Sequence, residues 1–217
     1  MKAFSGCRFV VVDVETTGTG ALAGDRVTEV AAVVVEDGRI EEAFQSLVNP
    51  GRPIPAFITG LTGISNAMVA DAPSFADIAD ALAQTLHERT FVAHNAPFDW
   101  GFLTMEFARA GRPEALSGSP LCTVRLARRL LAHLPRRNLD SVAWHYGVEI
   151  ESRHRALGDA RATAQVLLGL LRDAERQVGV DSLDALHAWL ATRGGTARAR
   201  RSAMPRPVDD RGLGPGA

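Results

Sequence analysis

Two carboxylates follow a strongly apolar segment near the start of the sequence. Residues 9–12 are Phe-Val-Val-Val, and Asp13 and Glu15 come next, separated by one valine. A continuous β-branched run is typical of a strand that is buried on both faces. Residues i and i+2 of a strand point to the same side of the sheet, so both acids face one point. The pattern therefore favours a divalent cation between them, with two hydrated acids at a strand end as the alternative.

Two later motifs carry similar groups. Asn95, Phe98 and Asp99 come directly after a short apolar segment. His154 and Asp159 are five residues apart, so they do not share one face of a helix. We therefore predict that Asp159 lies in the first turn of a long helix and that His154 lies on the preceding loop. Taken singly, each acid could simply interact with a helix dipole, and the histidine could be a hydrated loop residue.

The apolar periodicity predicts the elements that position these groups. Three antiparallel strands come first, at residues 8–14, 25–36 and 40–48, and short strands follow at 90–93 and 121–123. Helices separate and follow the later strands. This order predicts an α/β fold with a mixed five-stranded sheet, in which three antiparallel strands precede α/β crossovers and helices flank the sheet.

Composition places the sequence among ordinary globular proteins. The 217 residues are 46% hydrophobic and 23% charged, with a formal net charge of -1, which neither requires nor excludes a nucleic acid partner. Six of the 24 basic residues and two of the 25 acidic residues lie from Arg193 onward. We predict one domain over residues 1–193 and a disordered tail, rich in arginine, proline and glycine, over residues 194–217.

Cysteine content and hydropathy exclude two classes of protein. Cys7 and Cys122 form no Cys-x-x-Cys motif, which excludes a thiolate zinc site, and we expect both thiols to be reduced. The longest apolar runs are far shorter than the ~20 residues that cross a bilayer. We therefore expect a cytoplasmic protein without membrane association.

The three motifs together resemble those of the DEDDh family of 3′–5′ exonucleases. This family has a ribonuclease H-like fold and includes RNase T and the epsilon proofreading subunit of DNA polymerase III. Its D-x-E-T, N-x-x-F-D and H-x4-D motifs are matched by residues 13–16, 95–99 and 154–159. The resemblance covers residues 7–176, approximately, and every catalytic residue type is present. It implies the ribonuclease H-like exonuclease fold and hydrolysis of phosphodiester bonds at 3′ ends.

The resemblance also implies how the site is built. Two divalent cations, Mg²⁺ or Mn²⁺, lie about 4 Å apart in such sites. Asp13 is then the ligand that bridges both ions, with Glu15 and Asp159 beside it and Asp99 acting nearby. His154 is the general base, because imidazole can take up a proton near neutral pH.

The candidate substrate contacts follow from the same resemblance and from the need to hold a single-stranded 3′ end. Leu61 and Phe98 are suited to stacking or wedging against terminal bases, although both could instead belong to the core. Arg153 and Arg155 could hold the phosphate or be exposed to solvent. The full set of predicted substrate-binding residues is Thr16, Gly18, Leu61, Thr62, Asn95 and Phe98.

The leading functional hypothesis is a metal-dependent 3′–5′ exonuclease that releases nucleoside monophosphates from DNA, as a proofreading subunit or a repair nuclease. Its expected partners are a single-stranded 3′ end and a DNA polymerase subunit. One alternative keeps the chemistry and trims RNA ends. Another is a polymerase-associated binding module, in which the basic tail contacts a partner or a phosphate backbone.

Overall fold

The computed structural model describes residues 4–192, and the predicted tail lies outside this range. The sheet and the helices are defined as follows. The strands are β1 (Arg8–Thr16), β2 (Val27–Glu36), β3 (Arg39–Leu47), β4 (Thr90–Ala93) and β5 (Leu121–Cys122). The helices are α1 (Ala56–Thr62), α2 (Asn66–Val69), α3 (Phe75–Leu86), α4 (Ala96–Arg109), α5 (Thr123–Leu130), α6 (Leu139–Tyr146), α7 (Ala156–Val178) and α8 (Leu183–Ala191).

The five strands form one mixed sheet in the order β3-β2-β1-β4-β5. β1 pairs with β2, and β2 with β3, in antiparallel fashion. β1 pairs with β4, and β4 with β5, in parallel fashion. The predicted α/β fold with three antiparallel strands followed by crossovers is therefore confirmed, and β1 occupies the centre of the sheet.

The alternation of side chains along β1 builds two hydrophobic cores. Val11 packs on the face that α5, α6, α7 and α8 cover. Val10, Val12 and Val14 pack on the opposite face, against α3 and α4. Both faces of the strand are buried, as the continuous apolar run predicts. The sheet is thus the middle layer of three, and each end of β1 lies between two layers of helices.

The first strand is longer than predicted. It continues to Thr16 rather than ending at residue 14, so Asp13 and Glu15 lie within the paired strand. The pairing with β2 shifts directly after Glu15, because Thr16 lies opposite Val27. Such irregularities increase the local twist and often lie beside functional sites. Strand pairing therefore holds both acids in register up to the point where the chain turns away.

The helices that follow the later strands include the long helix predicted to begin near Asp159. α7 begins at Ala156, three residues before Asp159, and Asp159 lies in its first turn as predicted. The short helix α2 was not predicted, and Ser65 caps it by accepting a hydrogen bond from the Met68 amide. Among residues 4–192, no helix is both long and apolar enough to cross a membrane.

The segment before α7 packs directly onto that helix at Gly158. A Cβ atom at position 158 would lie 1.8 Å from the Glu151 carbonyl oxygen and 2.9 Å from that of Ser152. These carbonyls belong to residues 151–155, which we call the histidine loop. The absence of a side chain at Gly158 is therefore what allows the histidine loop to lie against the first turn of α7.

Gly158→Ala is expected to destabilise the domain by about 1–3 kcal/mol, because the added methyl group forces the loop backbone away from the helix. Urea unfolding measures the change. Gly101→Ala is the matched control, since a Cβ added at that position inside α4 would meet no neighbouring atom of the described residues within 4 Å. That change should stabilise by roughly 0.5–1 kcal/mol. Equal stability for the two variants would contradict this packing.

Candidate active site

The central strand places the first two acids. Asp13 lies opposite Ala31 of β2, and Glu15 lies opposite Glu29. Asp13 and Glu15 are both partly buried, whereas Glu29 is completely buried. Three carboxylates therefore lie close to one end of the sheet, in surroundings where an unpaired negative charge is costly.

Helix α4 brings Asp99 to the same strand. Asp99 is in the first turn of α4 and is 3% exposed. Its Oδ1 accepts a hydrogen bond from the backbone amide of Val14 at 3.1 Å. Because Val14 separates Asp13 from Glu15 in the chain, this bond fixes Asp99 against the strand segment that carries both acids. The second predicted motif therefore meets the first.

The histidine loop and α7 bring the third motif to the site from the other layer of helices. Asp159 is 3% exposed, and its Oδ2 accepts a hydrogen bond from the His154 amide at 3.3 Å. Arg153 donates a second bond to the same oxygen. His154 has a φ of 62°, a left-handed conformation that is uncommon outside glycine. The loop is thus folded back onto the carboxylate that follows it.

Glu15, His154 and Asp159 could hold a metal ion together. One potential ligand atom from each lies within 4.8 Å of the other two. Asp159 Oδ1 is buried and has no hydrogen-bond partner among the described residues. A buried carboxylate oxygen without a partner is unfavourable unless a cation completes its coordination. The donor set, mostly carboxylate oxygen, fits Mg²⁺ or Mn²⁺.

Burial shifts the titration of the four acids Asp13, Glu15, Asp99 and Asp159, which we call the acid cluster, and repulsion from other acids adds to the shift at the first three. Burial, followed by the charges of the other three acids, raises the pKa of Asp13 well above its usual range. Burial raises the pKa of Asp99 to about 8 and that of Glu15 to about 7. Burial also raises the pKa of Asp159, although Arg153 opposes the shift. A cation would relieve this unfavourable concentration of negative charge.

Glu29 differs from the acid cluster because the protein already neutralises it. Burial alone would favour its neutral form, but hydrogen bonds from Arg155 and the Ala156 amide outweigh burial and lower its pKa. The two guanidinium bonds measure 2.9 and 2.7 Å, and the amide bond measures 3.0 Å. Arg155 therefore anchors the end of the histidine loop to β2. This role differs from the phosphate contact and the hydrated position considered from the sequence.

The sequence interpretation missed this pair, although one signal was present. Glu29 is a single acid inside the apolar segment Val-Thr-Glu-Val of β2. A charge in a strand that is buried on both faces needs a partner, so the position predicts a buried ion pair. The identity of the partner depends on a contact across 126 positions of the chain, which local spacing does not reveal.

The predicted wedge residue Leu61 lies on the surface rather than in the core. It is 52% exposed at the end of α1, and Phe57, one turn earlier, is 71% exposed. β3 runs parallel to β1, and it ends beside the part of β2 that lies opposite Glu15. The segment that carries Leu61 therefore leaves the sheet at the same end as the acids.

The other predicted contacts are arranged in different ways, and their substrate roles remain predictions. The Thr16 hydroxyl donates to the Gly18 carbonyl at 2.5 Å, which closes the turn after β1. The Thr62 hydroxyl donates to the Ile58 carbonyl at 3.0 Å, so this donor is already used within α1. Two further candidates lie at the start of α4. Asn95 is exposed in a left-handed conformation, and Phe98 is half-buried against Phe102.

Comparison with known proteins assigns this arrangement to a family. A family model for exonucleases of the RNase T type matches residues 10–167. The chain belongs to the DEDDh-type exonuclease family. The matched region includes all three acid-bearing motifs, and the resemblance seen in the sequence is thereby confirmed. This exonuclease assignment makes the domain a hydrolase of nucleic acid ends.

Two curated relatives have related names. The chain is 40% identical over 166 residues to the 3′-5′ exonuclease DinG of Bacillus subtilis (strain 168), and the match covers 76% of this chain and 18% of the relative. It is 41% identical over 167 residues to a DNA polymerase III subunit epsilon-like protein of Rhodobacter capsulatus, covering 75% of this chain and 23% of the relative. The chain thus spans less than a quarter of the length of either protein.

A solved structure, Exonuclease X in complex with 5′ overhanging duplex DNA, has a similar fold. It is 28% identical, with a TM-score of 0.65, and the match covers 82% of this chain and 98% of that chain. In contrast to the two longer relatives, this structure is matched over nearly its whole length. Its fold is therefore reproduced almost completely within this chain.

The raised pKa values of the acid cluster predict how stability responds to pH. In the folded protein these carboxyls keep protons that the unfolded chain releases above about pH 5. With a chelator present, the free energy of unfolding should therefore fall as the pH rises from about 5 to about 8. Added Mg²⁺ should stabilise most at the upper end of this range, where the carboxylates are ionised.

Thermal unfolding at several pH values, with chelator or with Mg²⁺, measures this effect. Glu15→Gln is the matched variant, because it keeps the shape of the side chain and removes one titrating group. It should reduce both the fall in stability with pH and the stabilisation by Mg²⁺. A stability in chelator that rises steadily across the same pH range would contradict the arrangement.

Proposed function

We propose that this domain is a metal-dependent 3′–5′ exonuclease that releases nucleoside monophosphates from DNA 3′ ends by two-metal-ion hydrolysis. The observation that carries the proposal is the meeting of three sequence-distant motifs at the end of β1. Asp99 bonds to the strand between Asp13 and Glu15, and Asp159 lies with His154 beside Glu15. If each acid only interacted with a helix dipole, the three motifs would not need to meet at one place.

The residues fit a divalent cation site, and their proposed roles follow from their positions. Divalent cations, when bound, neutralise the developing charge on the phosphate and help to activate the attacking water. Asp13, on the central strand, is the proposed ligand that both ions share. Glu15, Asp99 and Asp159 complete the set of carboxylates that hold the cations. Hydrogen bonds to Asp99 and Asp159 favour firm orientation of these two ligands.

His154 is the proposed general base. It lies on the histidine loop, beside Glu15 and Asp159, and it is half-buried. Its imidazole takes the proton that the attacking water loses as the new phosphorus–oxygen bond forms. The 3′ oxygen of the next nucleotide leaves as the old bond breaks, and it takes a proton from solvent water to end as a hydroxyl group.

The substrate end is proposed to enter between apolar surfaces. Leu61 and Phe57 are four residues apart on α1, so they lie on one face of that helix. Both are exposed, and both could contact the flat faces of bases without reading their sequence. The backbone near Thr16 and Thr62 is then proposed to contact the sugar. The remaining proposed contacts are Gly18, Asn95 and Phe98.

DNA is the preferred substrate because of what the relatives' names state. The structural relative was solved with 5′ overhanging duplex DNA, and one curated relative is epsilon-like. We also propose association with a DNA polymerase subunit, in a proofreading or repair role, on the basis of the second name. Trimming of RNA ends is the alternative, since two-metal hydrolysis does not itself discriminate the sugar.

Asp13→Asn is expected to reduce nucleotide release from a single-stranded DNA oligonucleotide with Mg²⁺ to background. His154→Ala should lower the rate by roughly 10²–10⁴-fold, because it removes the proton acceptor but no carboxylate. Metal binding should survive His154→Ala to a much greater extent than Asp13→Asn. Product analysis should show mononucleotides released from the 3′ end. Full activity of Asp13→Asn would disprove the proposed mechanism.

The choice between DNA and RNA needs a separate comparison. The test compares how fast wild type degrades two oligonucleotides of the same sequence, one of DNA and one of RNA. Asp13→Asn is the control for contaminating nucleases. We expect faster degradation of DNA at equal concentration. Faster degradation of RNA would favour the alternative function, in which the same chemistry trims RNA ends. Binding of either strand without any Asp13-dependent cleavage would favour a binding module.

A further inference from the structure

Arg153 connects Asp140 of α6 with Asp159 of α7, and it also contacts His154. Its Nε donates to Asp140 Oδ1 at 2.9 Å, and its Nη1 donates to Asp159 Oδ2. The same Nη1 lies 3.4 Å from His154 Nδ1. One guanidinium therefore contacts a carboxylate in the first turn of α6, a carboxylate of the acid cluster and the proposed general base.

The two oxygens of Asp159 have different surroundings. Oδ2 accepts hydrogen bonds from the Arg153 guanidinium and from the His154 amide. Oδ1 is buried and has no hydrogen-bond partner among the described residues. The protein thus bonds to one oxygen of the carboxylate and leaves the other oxygen, among the described residues, without a partner. Hydrogen bonds to one oxygen also fix the direction in which the other oxygen points.

We propose that Arg153 is a positioning residue that holds Asp159 Oδ2, so that Oδ1 is oriented to coordinate a divalent cation. The proposal rests on the proposed function, because it concerns the cation that this function requires. Partners that bond to a ligating carboxylate commonly tune metal affinity in this way. Arg153 acts through Asp159 and does not itself touch the cation.

Asp140 holds the Nε side of the Arg153 guanidinium. It lies in the first turn of α6, where Asn138 caps the helix by accepting from the Ser141 amide. Asn138 Nδ2 also donates to Asp140 Oδ2 at 3.4 Å, which helps to orient the carboxylate of Asp140. A guanidinium is planar and has donors on several sides, so it can serve Asp140 and Asp159 at once. A lysine ammonium reaches the same region as a compact charge and cannot reproduce the paired geometry.

A positive side chain near a cation also repels it, and the structure indicates why orientation is the larger effect. The charge of Arg153 is shared with Asp140, which is outside the acid cluster. This added negative charge offsets part of the guanidinium charge at the site. Removal of Arg153 leaves Asp159 free to rotate, with Oδ2 retaining only the weaker bond to the His154 amide.

The test is the affinity for Mn²⁺, measured without substrate by titration calorimetry and by the paramagnetic signal of free Mn²⁺. Arg153→Met should weaken binding at the tighter site about 10–100-fold, the usual range for loss of such a partner. Arg153→Lys should recover part of the loss, and Asp140→Asn should cause a smaller one. Arg8→Met is the matched control, because Arg8 pairs with Glu36 and Glu88 at the start of β1, away from the acid cluster and the histidine loop.

The outcomes separate the two proposals. Wild type that fails to bind Mn²⁺ would reject the metal-dependent function itself. Wild-type binding with unchanged or tighter binding by Arg153→Met would overturn only the role of Arg153, and tighter binding would identify it as a competitor of the cation. Thermal unfolding in chelator shows whether each variant is folded. Weaker binding by a folded Arg153→Met, with Arg8→Met unchanged, supports the proposal.

Discussion

The concentration of carboxylates at the end of a buried strand is the constraint around which the site is organised. β1 is apolar on both faces until Asp13, and two acids then follow within the same paired segment. Two of the nearby acids are stabilised by contacts within the protein. Glu29 is paired with Arg155, and Asp99 accepts from the strand backbone. Among the described residues, one buried oxygen of Asp159 has no partner, and a cation bound there would complete its coordination.

The three-layer architecture explains how the chain assembles these groups. The strand supplies Asp13 and Glu15, while α4 on one face and α7 on the other supply the remaining acids of the cluster. Both helices place an acid in their first turn, where the helix dipole also favours negative charge. Convergence from two layers makes the geometry depend on packing of the whole domain. Gly158 shows this dependence locally, because the histidine loop rests on its backbone.

The sheet could be predicted from the sequence because its signals are local, whereas the meeting of the three motifs was implied by the family resemblance. Strand periodicity, turn residues and motif spacing all act within a few residues of one another, and the topology follows from their order. The partners of the arginines were not predictable in the same way. The bonds of Arg155 to Glu29 and of Arg153 to Asp140 join positions that only tertiary packing brings together. The exposure of Leu61 likewise depends on where α1 lies, since an apolar residue at a helix end fits a core or a surface equally well.

The stoichiometry of divalent cation binding tests the central claim most directly. Titration calorimetry with Mn²⁺, on the folded domain and in the presence of a nucleoside monophosphate, should give two ions per chain. Asp13→Asn should lose binding at both positions, because the proposed shared ligand is removed while the fold is retained. One ion per chain, or two ions with Asp13→Asn unaffected, would contradict a two-metal site built on the central strand.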